Sequence, residues 1–171
     1  LSLISKKYKN VKIIYIPIEE DITLKFYDYI KKFGDGNFKY KLPSLFDYSL
    51  SRDKNKLNIF CEAKNIPCPK HYSEADIRQN NYTLPIILKP ISGSGSKGIK
   101  YFFSKKEINL DSVDFKSNFF QELLNNPKDI QAGFFLCEKG KIISFYSHVR
   151  IRTFPEKGGV SVFSKSNFNL E

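Results

Sequence analysis

A loop rich in glycine and serine, placed between two apolar runs, constrains this chain more than any other feature. The first run covers residues 86–88 and ends in Lys89, and the second covers residues 99–103. Glycine can adopt a positive φ and lets the backbone approach a ligand, so successive N–H groups of such a loop can converge on an anion. The pattern predicts two strands joined by a phosphate-binding loop, and an ordinary serine–glycine hairpin is the alternative. The loop consists of Ser92, Gly93, Ser94, Gly95, Ser96, Lys97 and Gly98.

The common phosphate-binding motifs do not fit this loop. A P-loop needs Lys-Ser/Thr directly after its last glycine, but Gly98 is followed by Ile99. The letters of the dinucleotide fingerprint, Gly-x-Gly-x-x-Gly, do occur at 93–98, but that motif opens a helix and residues 99–103 are β-prone. Phosphate binding here would use a loop between two strands, with Lys89 and Lys97 as point charges.

The composition is that of a folded, basic protein. The chain has 171 residues, of which 41% are hydrophobic and 15% aromatic, enough for one substantial core or two small lobes. The formal net charge of +10 favours an acidic partner. Because the basic residues are spread along the chain, without an arginine-rich arm or an RNA-binding signature, nucleic acid is not expected as that partner. The absence of Met, even at position 1, suggests a piece of a longer protein.

Cysteine usage and hydropathy predict a cytoplasmic protein. Cys61, Cys68 and Cys137 are odd in number and lack the paired spacing of a zinc site, so we expect free thiols in a reducing compartment. The first residues do not resemble a signal peptide, and no run approaches the roughly 20 apolar residues of a membrane span. No association with a membrane is expected.

The N-terminal third predicts part of an α/β unit. Residues 11–18 are almost all apolar and predict a buried strand. An amphipathic helix opens at the acidic residues 19–21 and stops near Gly34. Residues 37–50 are expected to be irregular.

The rest of the chain predicts short helices and antiparallel strands. Asp53 can N-cap a helix that runs to about Lys64, and Ser73 begins a short helix. Ser104 and Glu107 form a capping box for another. Further strands are predicted at 118–124, 130–137, 142–152 and 160–163, with a hairpin turn at 138–141.

Period-two alternation within the strand at 142–152 groups its charged side chains. Tyr146, His148, Arg150 and Arg152 are predicted to share one face. Two arginines and a histidine on one face could meet an anion in a cleft, and a solvated sheet face is the alternative.

The order of these motifs resembles the ATP-grasp superfamily, and most closely its carboxylate–amine ligases related to the large subunit of carbamoyl-phosphate synthase. The resemblance covers about residues 50–165. It implies an α+β fold of two lobes with antiparallel sheets, preceded by part of an α/β pre-ATP-grasp domain. The corresponding boundaries are 1–49, 50–118 and 119–171. The motifs are Asp53-Lys54, 66–69, 85–90, 93–98, 120–123, Arg150-Ile-Arg152 and Gly158-Gly159.

The resemblance also implies roles for individual residues. Lys54 and Lys89 would contact ATP phosphates, and the loop from Ser92 to Gly98 would close over the triphosphate. Asp129 would bind the ribose. The inter-lobe linker, whose backbone and Glu side chain would hold the adenine, consists of Gln121, Glu122, Leu123 and Leu124. Arg150 and Arg152 are assigned to catalysis, in contact with phosphate or the substrate carboxylate.

The implied reaction is ATP-dependent C–N bond formation. A small carboxylate attacks the γ-phosphate to give an acyl phosphate, which an amine then attacks. The family's Mg²⁺ ligands, a late acid and a Glu-x-Asn motif, are not found in this chain, so the chain alone is expected to be inactive while the full-length protein uses Mg²⁺. A nucleotide-binding sensor without catalysis is the alternative, a basic nucleic-acid-binding domain is a third hypothesis, and a homo-oligomer is compatible with all three.

Overall fold

The computed structural model describes residues 1–93, 95–124, 130–154, 156 and 159–167. The chain divides after Arg52 into two units, Leu1–Arg52 and Asp53–Glu171. None of the helices in the described residues is long and apolar enough to cross a lipid bilayer.

The first unit is built around one amphipathic helix and two short parallel strands. Its elements are α1 (Ser2–Lys7), β1 (Ile13–Ile14), α2 (Glu20–Phe33), β2 (Phe38–Lys39) and α3 (Leu45–Arg52). Helix α2 is confirmed, because the side chain of Glu19 caps its first turn and Gly34 ends it. Phe26 of α2 is fully buried. Its ring stacks on Tyr15 with 3.9 Å between ring centroids and meets Phe38 edge-on.

The predicted buried strand at 11–18 is wrong in length and in burial. Only Ile13 and Ile14 pair with β2, which itself has two residues. Ile16 and Ile18 are 68% and 92% exposed. An apolar run can form a longer buried strand only where enough partner backbone is present, and β2 does not provide it.

The expectation of an irregular segment at 37–50 is also wrong. That segment contains β2 and the first six residues of α3. Helix α3 follows Ser44, whose hydroxyl accepts a hydrogen bond from the Asp47 N–H at 3.0 Å. A serine three residues before an acid is a helix-start signal, and it predicts the start of α3.

The first sheet of the second unit is antiparallel throughout. Its strands are β3 (His71–Tyr72), β4 (Ile86–Pro90), β5 (Lys100–Phe102) and β6 (Asn118–Glu122), in the order β3-β6-β4-β5. Helices α4 (Lys54–Ala63) and α5 (Glu74–Arg78) and two 3-10 helices (Lys105–Glu107, Leu110–Ser112) complete this part. The predicted strands beside the glycine loop are confirmed, and so are the helix starts at Asp53 and Ser73, whose side chains accept hydrogen bonds from the Lys56 and Asp76 N–H groups.

The register of β4 and β6 separates the two faces of this sheet. Ile87 lies opposite Gln121 and Lys89 opposite Phe119, so these four side chains share one face. The other face carries the hydrophobic core. The core side chains are Tyr72, Ile77, Ile86, Leu88, Phe102 and Phe120.

The second sheet follows in sequence. It consists of β7 (Gln131–Glu138), β8 (Lys141–Phe154) and β9 (Val160–Ser166), antiparallel and in chain order, which confirms the predicted hairpin. Strand β6 belongs to the first sheet, and the second sheet begins at Gln131, while the lobe boundary at residue 119 stays a prediction. The fold is thus a mixture of helices with antiparallel sheets, as predicted, whereas the pre-ATP-grasp assignment of residues 1–49 stays a prediction.

Candidate functional site

Two adjoining cavities lie on the face of the first sheet opposite its hydrophobic core. Lys54 and Lys89 line both, so the two cavities form one cleft with the lysines at their boundary. The first, the loop cavity, has a volume of about 220 Å³ and is otherwise lined by Pro90, Ser92, Gly93, Gly95, Ser96, Lys97 and Ile99. The second, the helix cavity, has about 280 Å³ and is otherwise lined by Leu57, Asn58, Cys61, Cys68, Pro69, Phe119 and Gln121.

Secondary structure fixes where the two lysine side chains start. Lys54 is the first residue of α4, and its backbone N–H donates to the Ile91 carbonyl at 3.0 Å, which ties the start of the helix to the end of β4. Its ammonium donates to the Gly93 carbonyl at 2.5 Å. Lys89 is the penultimate residue of β4, and its ammonium donates to Oε1 of Gln121 at 2.6 Å.

Both ammonium groups are therefore held by neutral oxygens. Among the residues that the structure describes, no carboxylate forms an ion pair with Lys54 or Lys89. Burial lowers the pKa of Lys89, and the neighbouring charge of Lys54 lowers it further. Two uncompensated positive charges in a partly desolvated cleft form a site for an anion, because an anion would relieve both the repulsion and the desolvation.

The loop has the backbone conformation that anion binding requires. Gly95 and Gly98 have φ of +68° and +75°, and Ser96 between them has φ of +58°. A succession of left-handed residues turns backbone N–H groups away from the regular strand directions, where they can face a ligand. The predicted connection between two strands is confirmed, since the loop joins β4 to β5, and Ser94 lies outside the described residues.

The helix cavity differs in chemistry from the loop cavity. Leu57, Phe119 and the ring of Pro69 give it apolar walls, and Cys61 and Cys68 add sulfur. Burial raises the pKa of the Cys68 thiol, which favours its protonated form. The cleft thus offers cations and backbone N–H groups at one end and an apolar surface at the other.

Asn58 is the residue of this cleft that the sequence interpretation missed. It lies in α4 and is 6% exposed, with its amide nitrogen donating to the Pro69 carbonyl at 2.9 Å and to the Cys68 sulfur at 3.3 Å. Its Oδ1 accepts from Nε2 of Gln121. A lone asparagine between Leu57 and Ile59 was the available signal, since polar residues on a buried helix face need a partner.

Comparison with solved structures decides the fold. The chain is similar to biotin carboxylase from Campylobacter jejuni in its β-γ-ATP complex, with a TM-score of 0.64 and 16% sequence identity over 89% of this chain and 37% of that one. It is also similar to N5-carboxyaminoimidazole ribonucleotide synthetase from Thermotoga maritima, with a TM-score of 0.50 and 18% identity over 85% and 38% of the two chains. Both are ATP-grasp proteins.

The chain has the ATP-grasp fold. It spans little more than a third of the length of either ATP-grasp structure. No protein-family model matches the sequence, and no curated protein matches it. The predicted ATP-grasp fold is therefore confirmed, whereas the branch of the superfamily stays a prediction.

Most residues that the ATP-grasp resemblance assigned to phosphates lie together. Lys54, Lys89 and Lys97 line one cavity with Ser92, Gly93, Gly95 and Ser96 of the loop, whereas Gly98 is not part of its lining. Of the predicted linker, Gln121 lines the cleft. Glu122 points to the opposite face of β6, and its carboxylate accepts from the Lys70 N–H at 2.8 Å.

The remaining linker residues are less closely associated with the cleft. The Leu123 N–H donates to the Pro85 carbonyl at 3.1 Å, and Leu124 is 64% exposed. Asp129 lies outside the described residues. An adenine or ribose contact by these residues stays a prediction.

The two arginines assigned to catalysis belong to the second sheet. On β8, Arg150 lies opposite Ser164 and Arg152 opposite Phe163, which are consecutive on β9, so the ladder is irregular at this point. Consecutive strand residues point to opposite faces, and the expectation that Arg150 and Arg152 share a face is therefore wrong. Nε of Arg150 and Nε2 of His148 are buried without a hydrogen-bond partner among the described residues.

The described residues do not provide a set of ligands for a metal ion. They contain no group of three or more His, Cys, Asp or Glu side chains that could hold one. Magnesium is therefore assigned no ligand here, and the chemistry below is derived from the cleft's own side chains.

Proposed function

We propose that this chain is the ATP-binding part of an ATP-dependent ligase that joins a carboxylate to an amine. The observation that carries the proposal is the position of Lys54 and Lys89 at the boundary between a loop cavity rich in left-handed backbone and an apolar helix cavity. A nucleoside triphosphate has the matching division, with several negative charges at one end and a flat, largely apolar base at the other.

The loop cavity suits the triphosphate. Lys54 and Lys89 are held by neutral acceptors, and each ammonium has further N–H groups, so phosphate oxygens can accept from them without breaking an ion pair. Hydrogen bonds from an ammonium to a phosphate oxygen join two ionised groups and are among the stronger hydrogen bonds in proteins. The ammonium of Lys97 and the backbone N–H groups of the loop would supply the remaining positive charge and hydrogen-bond donors around the triphosphate.

The helix cavity suits the base. The Phe119 ring and the aliphatic walls from Leu57 and Pro69 can cover its faces. The backbone after Gln121 can meet its polar edge, which is the role we propose for residues 122–124. We further propose that Asp129 binds the ribose.

In this reaction the main task of the chain is to bind ATP and orient its γ-phosphate. A carboxylate oxygen of the substrate attacks the γ-phosphorus, the bond to the β–γ bridging oxygen breaks, and ADP leaves. The amine then attacks the acyl carbon, and phosphate leaves with its electron pair. Lys54 and Lys89 would neutralise charge that develops on the transferred phosphoryl group, which is the main contribution a protein makes to such a step.

The finer assignments rest on the motif order and are part of the proposal. We infer a relation to the large subunit of carbamoyl-phosphate synthase from the segments 85–90 and 93–98. We assign Arg150 and Arg152 to phosphate or the substrate carboxylate, and Mg²⁺ to ligands outside the described residues. A cytoplasmic location belongs to the same proposal.

A calorimetric titration with ATP tests the proposed function. We expect saturable binding that Lys89→Ala weakens by about tenfold or more, equivalent to about 1.4 kcal/mol. Lys100→Ala removes the same charge from an exposed position of β5 outside both cavities and should leave the affinity within about twofold. Equal losses from both substitutions would show that only overall charge matters, and no binding at millimolar ATP would contradict the proposal.

A further inference from the structure

A chain of hydrogen bonds with only one possible polarity leads from a backbone carbonyl to Lys89. The Pro69 carbonyl can only accept, so Asn58 must direct its NH₂ group toward it, at 2.9 Å. This orientation turns Oδ1 of Asn58 toward Gln121. Because Oδ1 can only accept, Gln121 must donate to it from Nε2. Oε1 of Gln121 is then left for the Lys89 ammonium, which can only donate, at 2.6 Å.

Burial makes this polarity strict. Asn58 and Gln121 are 6% and 5% exposed, so a flipped amide would place like groups against each other with little water to relieve them. Leaving a buried polar group without its partner costs about 1–3 kcal/mol. The orientation of both amides is therefore determined at one end by a carbonyl and at the other by an ammonium.

Because the acceptor for Lys89 is the neutral amide of Gln121, the positive charge of Lys89 stays available to a ligand in the cleft. A carboxylate in the place of Gln121 would pair with Lys89 and cancel its charge, whereas an amide holds the long side chain in one position and leaves the charge available. The charged and titratable groups that surround Lys89 in the two cavities are Lys54, Lys97, Cys61 and Cys68. None of the described residues that line the two cavities is an aspartate or glutamate that could take over the role of the amide.

We propose that Asn58 and Gln121 are positioning residues that hold the Lys89 ammonium, still fully charged, at the boundary of the loop and helix cavities. Their importance for nucleotide affinity rests on the proposed function, but the positioning itself does not. Neither residue needs to touch the reacting atoms. Asn58 acts through Gln121, and Gln121 acts through Lys89.

The direct test is an NMR titration of the Lys89 side chain in the ligand-free chain, labelled with ¹³C at lysine Cε. Loss of an acceptor disfavours the charged form, so Asn58→Leu should lower the midpoint of Lys89 by about half a pH unit or more. Gln121→Glu should raise it by about one unit, since a carboxylate favours the ammonium. The two substitutions should shift the Lys89 midpoint in opposite directions. If only one of the two variants folds, its shift alone still tests the proposal.

The matched control is Asn55→Leu, one turn earlier on the same helix. Oδ1 of Asn55 is buried and no described group donates to it, so this substitution removes a half-buried amide outside the hydrogen-bond chain. It should leave the Lys89 midpoint unchanged. Asn58→Leu should also abolish the exchange protection of the Gln121 NH₂ protons, which Asn55→Leu should preserve.

The ATP affinity of the same variants separates this inference from the proposed function. If ATP binds, Asn58→Leu should weaken it by about threefold to tenfold, and should have no further effect once Gln121→Leu or Lys89→Ala is present. Additive losses, or a Lys89 midpoint that does not move in a folded variant, would overturn the inference. Absence of ATP binding with the Lys89 shifts as described would instead contradict the proposed function alone.

Discussion

Gly98 lies against Pro90 so closely that a β-carbon at position 98 would stand 3.0 Å from Cγ of the proline. Pro90 directly follows Lys89 at the end of β4, and Gly98 is the last residue of the glycine loop. The contact therefore closes the loop onto the strand that carries the lysine. Since φ of Gly98 is +75°, both the backbone and the space favour glycine at this position.

Gly98→Ala should weaken both the fold and nucleotide binding. The left-handed conformation costs a non-glycine residue about 1–2 kcal/mol, and crowding against Pro90 should add a further ~1 kcal/mol. Gly140→Ala is a matched control, because Gly140 has φ of +76° with nothing within 4 Å of the added carbon and lies in the β7–β8 hairpin. Urea denaturation should show a larger loss for Gly98→Ala, and only that variant should bind ATP more weakly.

The first sheet should depend strongly on Phe120. Its side chain is fully buried, and its ring lies 5.9 Å from the rings of Phe102 and Phe115. Phe120→Ala should lower the free energy of unfolding by about 3–5 kcal/mol, because it removes the burial and leaves a cavity. Phe103→Ala, at a residue that is 64% exposed, should change it by less than about 1 kcal/mol. Equal costs in chemical denaturation would contradict the assignment of the core to this face.

The lowered pKa of Lys89 predicts that nucleotide binding takes up a proton at alkaline pH. Phosphate oxygens favour the ammonium and raise its pKa in the complex. Below the ligand-free pKa the group is already protonated, so uptake appears only between the ligand-free and bound values. Calorimetry at a series of alkaline pH values, each in two buffers of different ionisation enthalpy, should show an interval in which up to one proton is taken up per ATP. The uptake should vanish near neutrality and in Lys89→Met, whereas equal uptake by Lys89→Met would assign the proton to another group.

Local signals predicted much of the second unit. Caps at Asp53 and Ser73 marked helix starts, and the apolar runs beside the loop marked β4 and β5, because such patterns depend only on nearby residues. Of the predicted phosphate-binding residues, Lys54, Lys89, Ser92, Gly93, Gly95, Ser96 and Lys97 line the cleft, together with Gln121 of the predicted linker.

Features that depend on distant partners were not predictable in the same way. The run at 11–18 has strand character, but its pairing is limited by the two residues of β2. The bulge that separates Arg150 from Arg152 arises from the register with β9, which a single strand does not encode. Asn58 became visible only when α4 was placed against β6, because its partner is 63 residues away in sequence.

The central claim, that ATP lies across the two cavities, is tested most directly by mapping ligand-induced shifts in ¹H–¹⁵N spectra of the full chain. Tripolyphosphate should shift the amides of Gly93, Gly95 and Lys97, adenosine should shift those of Cys68 and Phe119, and ATP should shift both groups. Shifts from ATP that fall outside both groups, or identical shifts from adenosine and tripolyphosphate, would contradict the account.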